Sequence, residues 1–382
     1  MKRLILLALI LLLAACGSEE PAETEPAADV TDASPAASEE YVLPEADHYL
    51  TVTDSMGIEI GDTNYVFGQI AGVEFTPDGD IAVLDIQKMA IGIYSRDGEF
   101  ITRVGRQGSG PGEFLLPVGF TYLPQGDLIV SDAMGGKLIR FDSSLEYVGD
   151  VIGFFPSPPA ALSGVDSMAI VGMKPEFEQS EEGMFMGFTI ARWVWDAAEP
   201  AHVYYTKSEP FDPTDLSSIG GSLVVFGASE GTPVFTSPMS SEEYTFTAWT
   251  TEGEEIFTFV DEDYERVLKS QEEIDLETEI VNARMVQQGM PSEMANWEPD
   301  PYRMSVTGLY PDDFGRLWVG KGTNSSPTFD VFDMEGNFLF TAAIDAGERT
   351  STWGVLVSHD GFLAFDANPE DYPVVYWGDL PE

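Results

Sequence analysis

Apart from its carboxylates, this 382-residue chain carries few residues suited to chemistry. Three histidines, His48, His202 and His359, lie about 150 residues apart, a spacing that offers no paired metal ligands of the kind a zinc site uses. Cys16 is the single cysteine, which excludes an internal disulfide, a thiolate metal cluster and a cysteine nucleophile from the body of the protein. There is no G-x-S-x-G nucleophile elbow, and no full D-x-[DN]-x-[DN]-G calcium loop with its later glutamate. The 66 Asp and Glu residues could supply an acid and a base almost anywhere, so their number locates neither. Two patterns remain. VGRQGSGPGEFLLP (104–117) sets four glycines in eight residues beside Arg106, the composition of a loop whose backbone amides could cradle a phosphate. Asp85, Asp132 and Asp366 recur in AVLD, IVSD and LAFD, where a carboxylate either bonds the amides of the following turn or serves a reaction.

The elements that must position these groups follow from self-similarity. GVEFTPDGDIAVLD (72–85) returns as GFTYLPQGDLIVSD (119–132), offset by 47 residues. Gly79 and Gly126 each precede an aromatic, Tyr94 and Phe141, by 15 residues, and Gly361 precedes Tyr376 by the same distance. Each unit has short runs of Val, Ile, Leu, Phe and Tyr separated by turns such as PDGD, PQGD, RDGE and MEGN, which are strand and hairpin signals. Four antiparallel strands repeated every 40 to 50 residues or so describe a propeller blade. The units are expected at 68–110, 111–156, a degenerate third using DSMAIVGM, GFTIARWVW and HVYYTKSEP, a fourth using SLVVFGAS, TPVFTSP and EYTFTAWTTEGEEIFTFV, then 302–345 and 350–382. The last shows only three strands, and HYLTVTDSMGIEI (48–60) is the candidate for the fourth, which would close the ring. The fold class is therefore all-β, a six-bladed β-propeller, with seven blades as the alternative. A phosphate loop leads into a helix whose N-terminus faces the anion. The strand pattern PVGFTYLP follows this one instead, so its glycines are expected to link two blades. Residues 261–296 break the pattern: Val267, Leu268, Ile274, Ile280, Val281, Met285 and Met290 fall near helical spacing and predict an amphipathic helical insertion that packs on the ring.

The N-terminal sequence MKRLILLALILLLAAC places two cations before an apolar run long enough for export and too short to span a bilayer, so 1–15 reads as a signal peptide. Leu13, Ala14, Ala15 and Cys16 resemble the bacterial lipobox, which implies cleavage before Cys16, acylation there and a durable membrane anchor. Gly17 stands where an aspartate would resemble an inner-membrane retention signal, so the outer membrane is expected, facing the periplasm or the cell surface; Glu19 and Glu20 resemble the acidic tract of surface-displayed lipoproteins. Residues 16–40 carry eight acids and no base, too polar to fold, and read as a tether ahead of a propeller at 41–382. The mature chain keeps 16 basic residues against 66 acidic ones, a charge near −50. Such repulsion is screened over roughly 8 Å at physiological ionic strength and about 3 Å at 1 M, which suits a saline habitat. Nucleic acid needs a basic footprint and is excluded as a partner.

The lipobox, the acidic tether, YVFGQIAGVEFTPDGDIAVLD and VGRQGSGPGEF together resemble bacterial six-bladed propeller lipoproteins related to the NHL repeats. That resemblance implies a binding platform without an assigned reaction, and implies that Asp85, Asp132 and Asp366 bond turn amides. Propeller loops joining strands two and three, and strand four to the next blade, open on one face. On this segmentation that face holds Lys88, Arg106, Lys137, Lys174, Lys207, Lys321 and Arg349, while the opposite hairpins hold Arg96 and Arg316. The expectation is a monomeric binding or scaffold module, with Lys88, Arg106, Lys137, Lys174, Lys321 and Arg349 as the candidate face for a protein or an anionic glycan, and with no cofactor. The alternative is a metal-dependent hydrolase of the gluconolactonase or arylesterase type, holding calcium with channel carboxylates.

Overall fold

A computed structural model describes residues 42–181, 183–212, 216–287, 297–322, 326–348, 350, 352–366, 369 and 371–381. The expected signal peptide, Cys16, the tether, Arg349 and the stretch 288–296 of the insertion lie outside the described residues. The chain forms six blades of four antiparallel strands arranged in a ring.

Blade I comprises β3 (Ile70–Phe75), β4 (Ile81–Asp85), β5 (Ala90–Tyr94) and β6 (Phe100–Val104), hydrogen-bonded in that order from the axis outward. Blade II repeats it with β7 (Pro117–Tyr122), β8 (Leu128–Asp132), β9 (Lys137–Phe141) and β10 (Tyr147–Ile152). The middle strands of both blades are buried, as near-continuous apolar runs require, while the outer strands alternate. The turn glycines Gly79 and Gly126 have φ of +83° and +97°, a region a side chain reaches only at a steric cost. Leu84, Ile91, Phe120, Leu128 and Ile139 pack into one core between these two blades.

Blade III comprises β11 (Ala161–Asp166), β12 (Ala169–Ser180), β13 (Gly183–Val194) and β14 (His202–Pro210). Its inner strand, ALSGVD, is not among the three runs that the sequence pattern picks out. Most of its positions are half-buried, so it lacks an apolar signature. β12 and β13 stay paired from Ala169↔Val194 to Ser180↔Gly183, twice the usual length. Blade IV, with β15 (Val224–Gly227), β16 (Val234–Pro238), β17 (Thr245–Trp249) and β18 (Glu255–Val260), matches its expected segments.

The described part of the insertion contains the helix α1 (Gln271–Gln287), which starts with a capping box: Glu273 N donates to Ser270 Oγ at 3.3 Å, and Ser270 N to Glu273 Oε2 at 2.7 Å. Its docking differs from the expected apolar stripe. Ile280 and Val281 are buried, but Val267 and Leu268 are exposed, because 267–269 is extended chain hydrogen-bonded to 301–303. Ion pairs supply much of the rest. Lys269 Nζ lies 2.8 Å from Glu277 Oε2 with both side chains buried, and Arg303 grips Glu273 through two 2.9 Å bonds.

Blade V comprises β19 (Gly308–Pro311), β20 (Arg316–Lys321), β21 (Thr328–Asp333) and β22 (Phe338–Asp345); blade VI comprises β23 (Trp353–Ser358), β24 (Gly361–Asp366) and β25 (Val375–Gly378). The segment expected to complete blade VI does so, but only in part. β2 (Asp54–Met56) pairs antiparallel with β25, whereas β1 (His48–Thr51) joins blade V as a fifth strand, parallel to β22. Thr53 lies between them and breaks the ladder, its N–H and hydroxyl both donating to Trp377 O. Asp47 caps the addition by accepting from Thr341 N at 2.9 Å and Thr341 Oγ1 at 3.0 Å.

Candidate functional site

The Gly-rich link from β6 to β7 satisfies itself. Arg106 donates to Glu113 at 2.8 Å, Gly110 N donates to Glu113 Oε2 at 2.9 Å, and Gly108 N and Phe114 N bond within the loop. The Gly110 amide, followed by Arg106, holds the Glu113 carboxyl below the ordinary range. Phe114 is fully buried, and a Cβ on Gly105 would fall 2.0 Å from its ring, so at least that glycine serves packing. Asp85 and Asp132 are stapling residues. The first, 3 % exposed, accepts from the amides of Gly68, Gln69, Gln87 and Lys88; the second, fully buried, accepts from those of Leu115, Leu116 and Gly135. Asp366 takes the matching place at the end of β24.

Of the candidate cations, Lys88, Arg106, Lys137, Lys174 and Lys321 are each engaged by a near neighbour. Lys88 donates to Thr63 O at 2.9 Å and lies 3.6 Å from Asp85 and 5.4 Å from the Phe67 ring centroid. Loss of solvation lowers its pKa, with Asp85 pulling the other way. Arg106 holds Glu113, Lys137 holds Asp150 at 3.1 Å, Lys174 holds Glu176 at 3.0 Å and Lys321 holds Asp330 at 2.6 Å. Lys174 and Lys207 belong to the long sheet of blade III, paired in register with Thr189 and Phe188.

The axis of the ring offers a different site. The inner strands β3, β7, β11, β15, β19 and β23 enclose a channel of about 520 Å³. Glycines let these strands approach: a Cβ on Gly119 would lie 1.7 Å from Ala160 O, and one on Gly227 would lie 2.3 Å from Leu309 O. Among its described lining residues the ionisable groups are Glu74, Glu230, Asp313, His359 and Asp360 with Tyr122 and Tyr310, and no Lys or Arg.

Glu74 stands between Val73 and Phe75 on β3 and reaches across the gap to blade II. Its Oε1 accepts from Thr121 Oγ1 and Tyr122 N, each at 3.0 Å. Thr121 is the residue that corresponds to Glu74 in the 47-residue repeat, so equivalent positions of adjacent blades meet. The Thr121 hydroxyl also accepts from Gly164 N at 3.0 Å, which ties blade III to the same chain of bonds. At 2 % exposure it is a strut and out of reach as a nucleophile. Glu74 keeps contact with the lumen, yet the protein around it withholds bulk water, and that desolvation raises its pKa to about 8 against the two bonds that favour the anion. Tyr122 is 8 % exposed, and its phenol oxygen has no hydrogen-bond partner among the described residues. Burial, then the nearby Glu74 and Asp80, pushes its pKa up.

At one mouth, the strand-one to strand-two turns of three blades meet. His359 Nδ1 lies 3.4 Å from Asp313 Oδ2 and its Nε2 lies 3.1 Å from Asp360 Oδ2, while Ser229 Oγ lies 3.4 Å from Asp313 Oδ1. Ser229 faces a carboxylate and not the imidazole, so the three residue types of a hydrolytic triad are present without its order. Among the described residues no three His, Cys, Asp or Glu side chains are grouped to hold a metal ion. Sequence reasoning missed Glu74, and the available signal was an acid flanked by apolar residues inside an inner strand, where the repeat has threonine.

Residues 62–151, the span of blades I and II, match a family described as 6-bladed beta-propeller. Among solved structures, a protein from Bacteroides fragilis described as exported is similar at TM-score 0.48 and 12 % identity, covering 86 % of this chain and 95 % of that one. The WD40 repeats of RRP9 are similar at TM-score 0.47 and 9 % identity, covering 87 % and 100 %. A catalytically inactive virginiamycin B lyase from Staphylococcus aureus, solved with quinupristin, is similar at TM-score 0.41 and 12 % identity, covering 84 % and 82 %. No curated protein sequence matches the chain.

Proposed function

We propose that the protein is a binding module, an NHL-like propeller lipoprotein held at the outer membrane through Cys16, that takes a small ligand in its axial channel. One observation carries this reading: a preformed lumen of about 520 Å³ enclosed by the inner strands of all six blades. Sites for small molecules are concave, mostly apolar clefts of roughly 300–1,000 Å³ with a few placed polar groups, and the lumen fits that description. The engagement of Lys88, Arg106, Lys137, Lys174 and Lys321 by their own neighbours favours the channel over the connector face as the ligand site. Point charges already neutralised in place add little attraction for an anionic partner.

The test is a thermal-shift and native mass-spectrometry screen of small molecules against the full chain and a Ser163→Trp variant, in which an indole fills the lumen. Compounds that raise the melting temperature of the parent are expected to lose that effect in the variant. Equal responses in both proteins would place the ligand elsewhere and remove the channel reading.

A further inference from the structure

The chemistry of the channel wall narrows the ligand, given that the channel is the ligand site. We propose that it binds a small organic ammonium ion, with the Glu74 carboxylate as counter-ion and the Tyr122 phenol as second anchor. Three independent features point there.

The first is the sign of the field. The described lining carries four carboxylates, on Glu74, Glu230, Asp313 and Asp360, and no Lys or Arg, in a chain whose formal charge is −48. His359, the lone imidazole of the described lining, already stands between Asp313 and Asp360. Low-dielectric walls focus such a field along the lumen, concentrate cations and repel anions. This reverses the anionic ligand expected from the connector face.

The second is the state of Glu74. Both of its hydrogen bonds end on Oε1, and no basic side chain pairs with it among the described residues. A carboxyl so placed is neutral at pH 7 because desolvation disfavours its charge, and an arriving cation supplies the missing partner. Binding then exchanges one charge for another: the ammonium enters, Glu74 releases its proton to solvent, and the net charge of the site is unchanged. The third is Tyr122, a channel-lining residue whose buried phenol oxygen has no hydrogen-bond partner among the described residues and is suited to accept an N–H.

The titratable groups facing Glu74 define the pH response. Tyr122 approaches from β7, Asp80 lies on blade I near the phenol, and Glu230, Asp313, His359 and Asp360 line the same lumen. None of these offers Glu74 a fixed positive partner, so the affinity for a permanently protonated amine should rise with pH until Glu74 ionises by itself. With a Glu74 pKa of about 8, the gain from pH 6 to pH 8 is roughly 50-fold.

The experiment is isothermal titration of the full chain with phenethylamine, phenethyl alcohol and phenylacetate, three probes of one shape and different charge, at pH 6, 7 and 8 in buffers of two ionisation enthalpies. Phenethylamine is expected to bind tightest, to gain roughly 50-fold over that range and to release close to one proton at pH 6. Glu74→Gln keeps the acceptor for Thr121 and Tyr122 N and is expected to lose both the binding and the pH slope, while Tyr122→Phe weakens binding about tenfold, a hydrogen bond to a charged group. Phenethyl alcohol or phenylacetate binding as tightly as the amine, or unchanged amine binding by Glu74→Gln, would overturn the ammonium assignment and leave the channel reading standing. If none of the three binds at millimolar concentration, both fall.

Discussion

Blades I and II and the arc from blade III through α1 are built from the same kinds of strand, yet they are held by different means. In the first pair, buried apolar strands are finished by Asp85 and Asp132, each closing its local turns through backbone amides. In the second, the central hairpin of blade III is stretched to twice the usual length, and α1 is fixed by Lys269–Glu277 and Arg303–Glu273, pairs drawn from separate segments. A repeated blade can thus be stabilised by contacts within some twenty residues, whereas an inserted element depends on buried charge. The first design degrades gradually; the second fails when one partner is lost.

Mutations can break that contrast. Lys269→Met should have the largest effect, about 3–5 kcal/mol, since it strands Glu277 as an unpaired buried carboxylate. Amide hydrogen exchange in 271–282 should rise sharply while that of blades I and II stays protected, and adding Glu277→Met should recover most of the loss. Exchange that rises evenly around the ring would erase the distinction. Asp132→Ala should come next, at about 2–4 kcal/mol by urea denaturation, because three part-buried amides lose their acceptor. Asp85→Ala should match it within error, and a large gap between these twins would mean that the repeat is geometric without being energetic.

A pH series sharpens the same comparison at the blade I/II gap. The folded protein holds the Glu74 proton up to about pH 8, whereas an unfolded glutamate has released it above its ordinary value of 4.5. The folded state therefore binds more protons across that window, and this group's contribution to stability falls as pH rises through it. Glu74→Gln should flatten the fall between pH 5 and pH 8 in thermal melts, and an unchanged slope would show that Glu74 is solvated. The smallest effect belongs to Arg106→Ala. The guanidinium is 80 % exposed, and its loss should leave the melting temperature unmoved.

The pattern of what the sequence reveals follows the same division. The 47-residue offset, the turn glycines and the apolar runs of blades I and II arise from local requirements, so they read directly as strands in a ring. β11 escapes because a strand lining an open channel needs no apolar face, and the docking of α1 escapes because ion pairs leave no periodic trace. The candidate lysines can be picked out of the sequence, but their engagement cannot, since Lys321 and Asp330 meet only once β20 and β21 are paired. Glu74 is visible within GVEFTPDGDIAVLD, and its aligned counterpart Thr121 is visible too. What a single strand does not disclose is that these two positions touch across the gap between blades.

The split of the N-terminal segment between two blades has a mechanical consequence. Tension on the chain ahead of His48 is met first by the bonds of Asp47 to Thr341 and by the short parallel ladder with Ala342, Ala343, Ile344 and Asp345. Only after that strand peels away does the load reach Asp54, Ser55 and Met56, whose pairing with Val375, Tyr376 and Trp377 keeps the circle shut. β1 is in effect a strain relief, a sacrificial stitch that lets the leading end be tugged while the seam behind it stays slack.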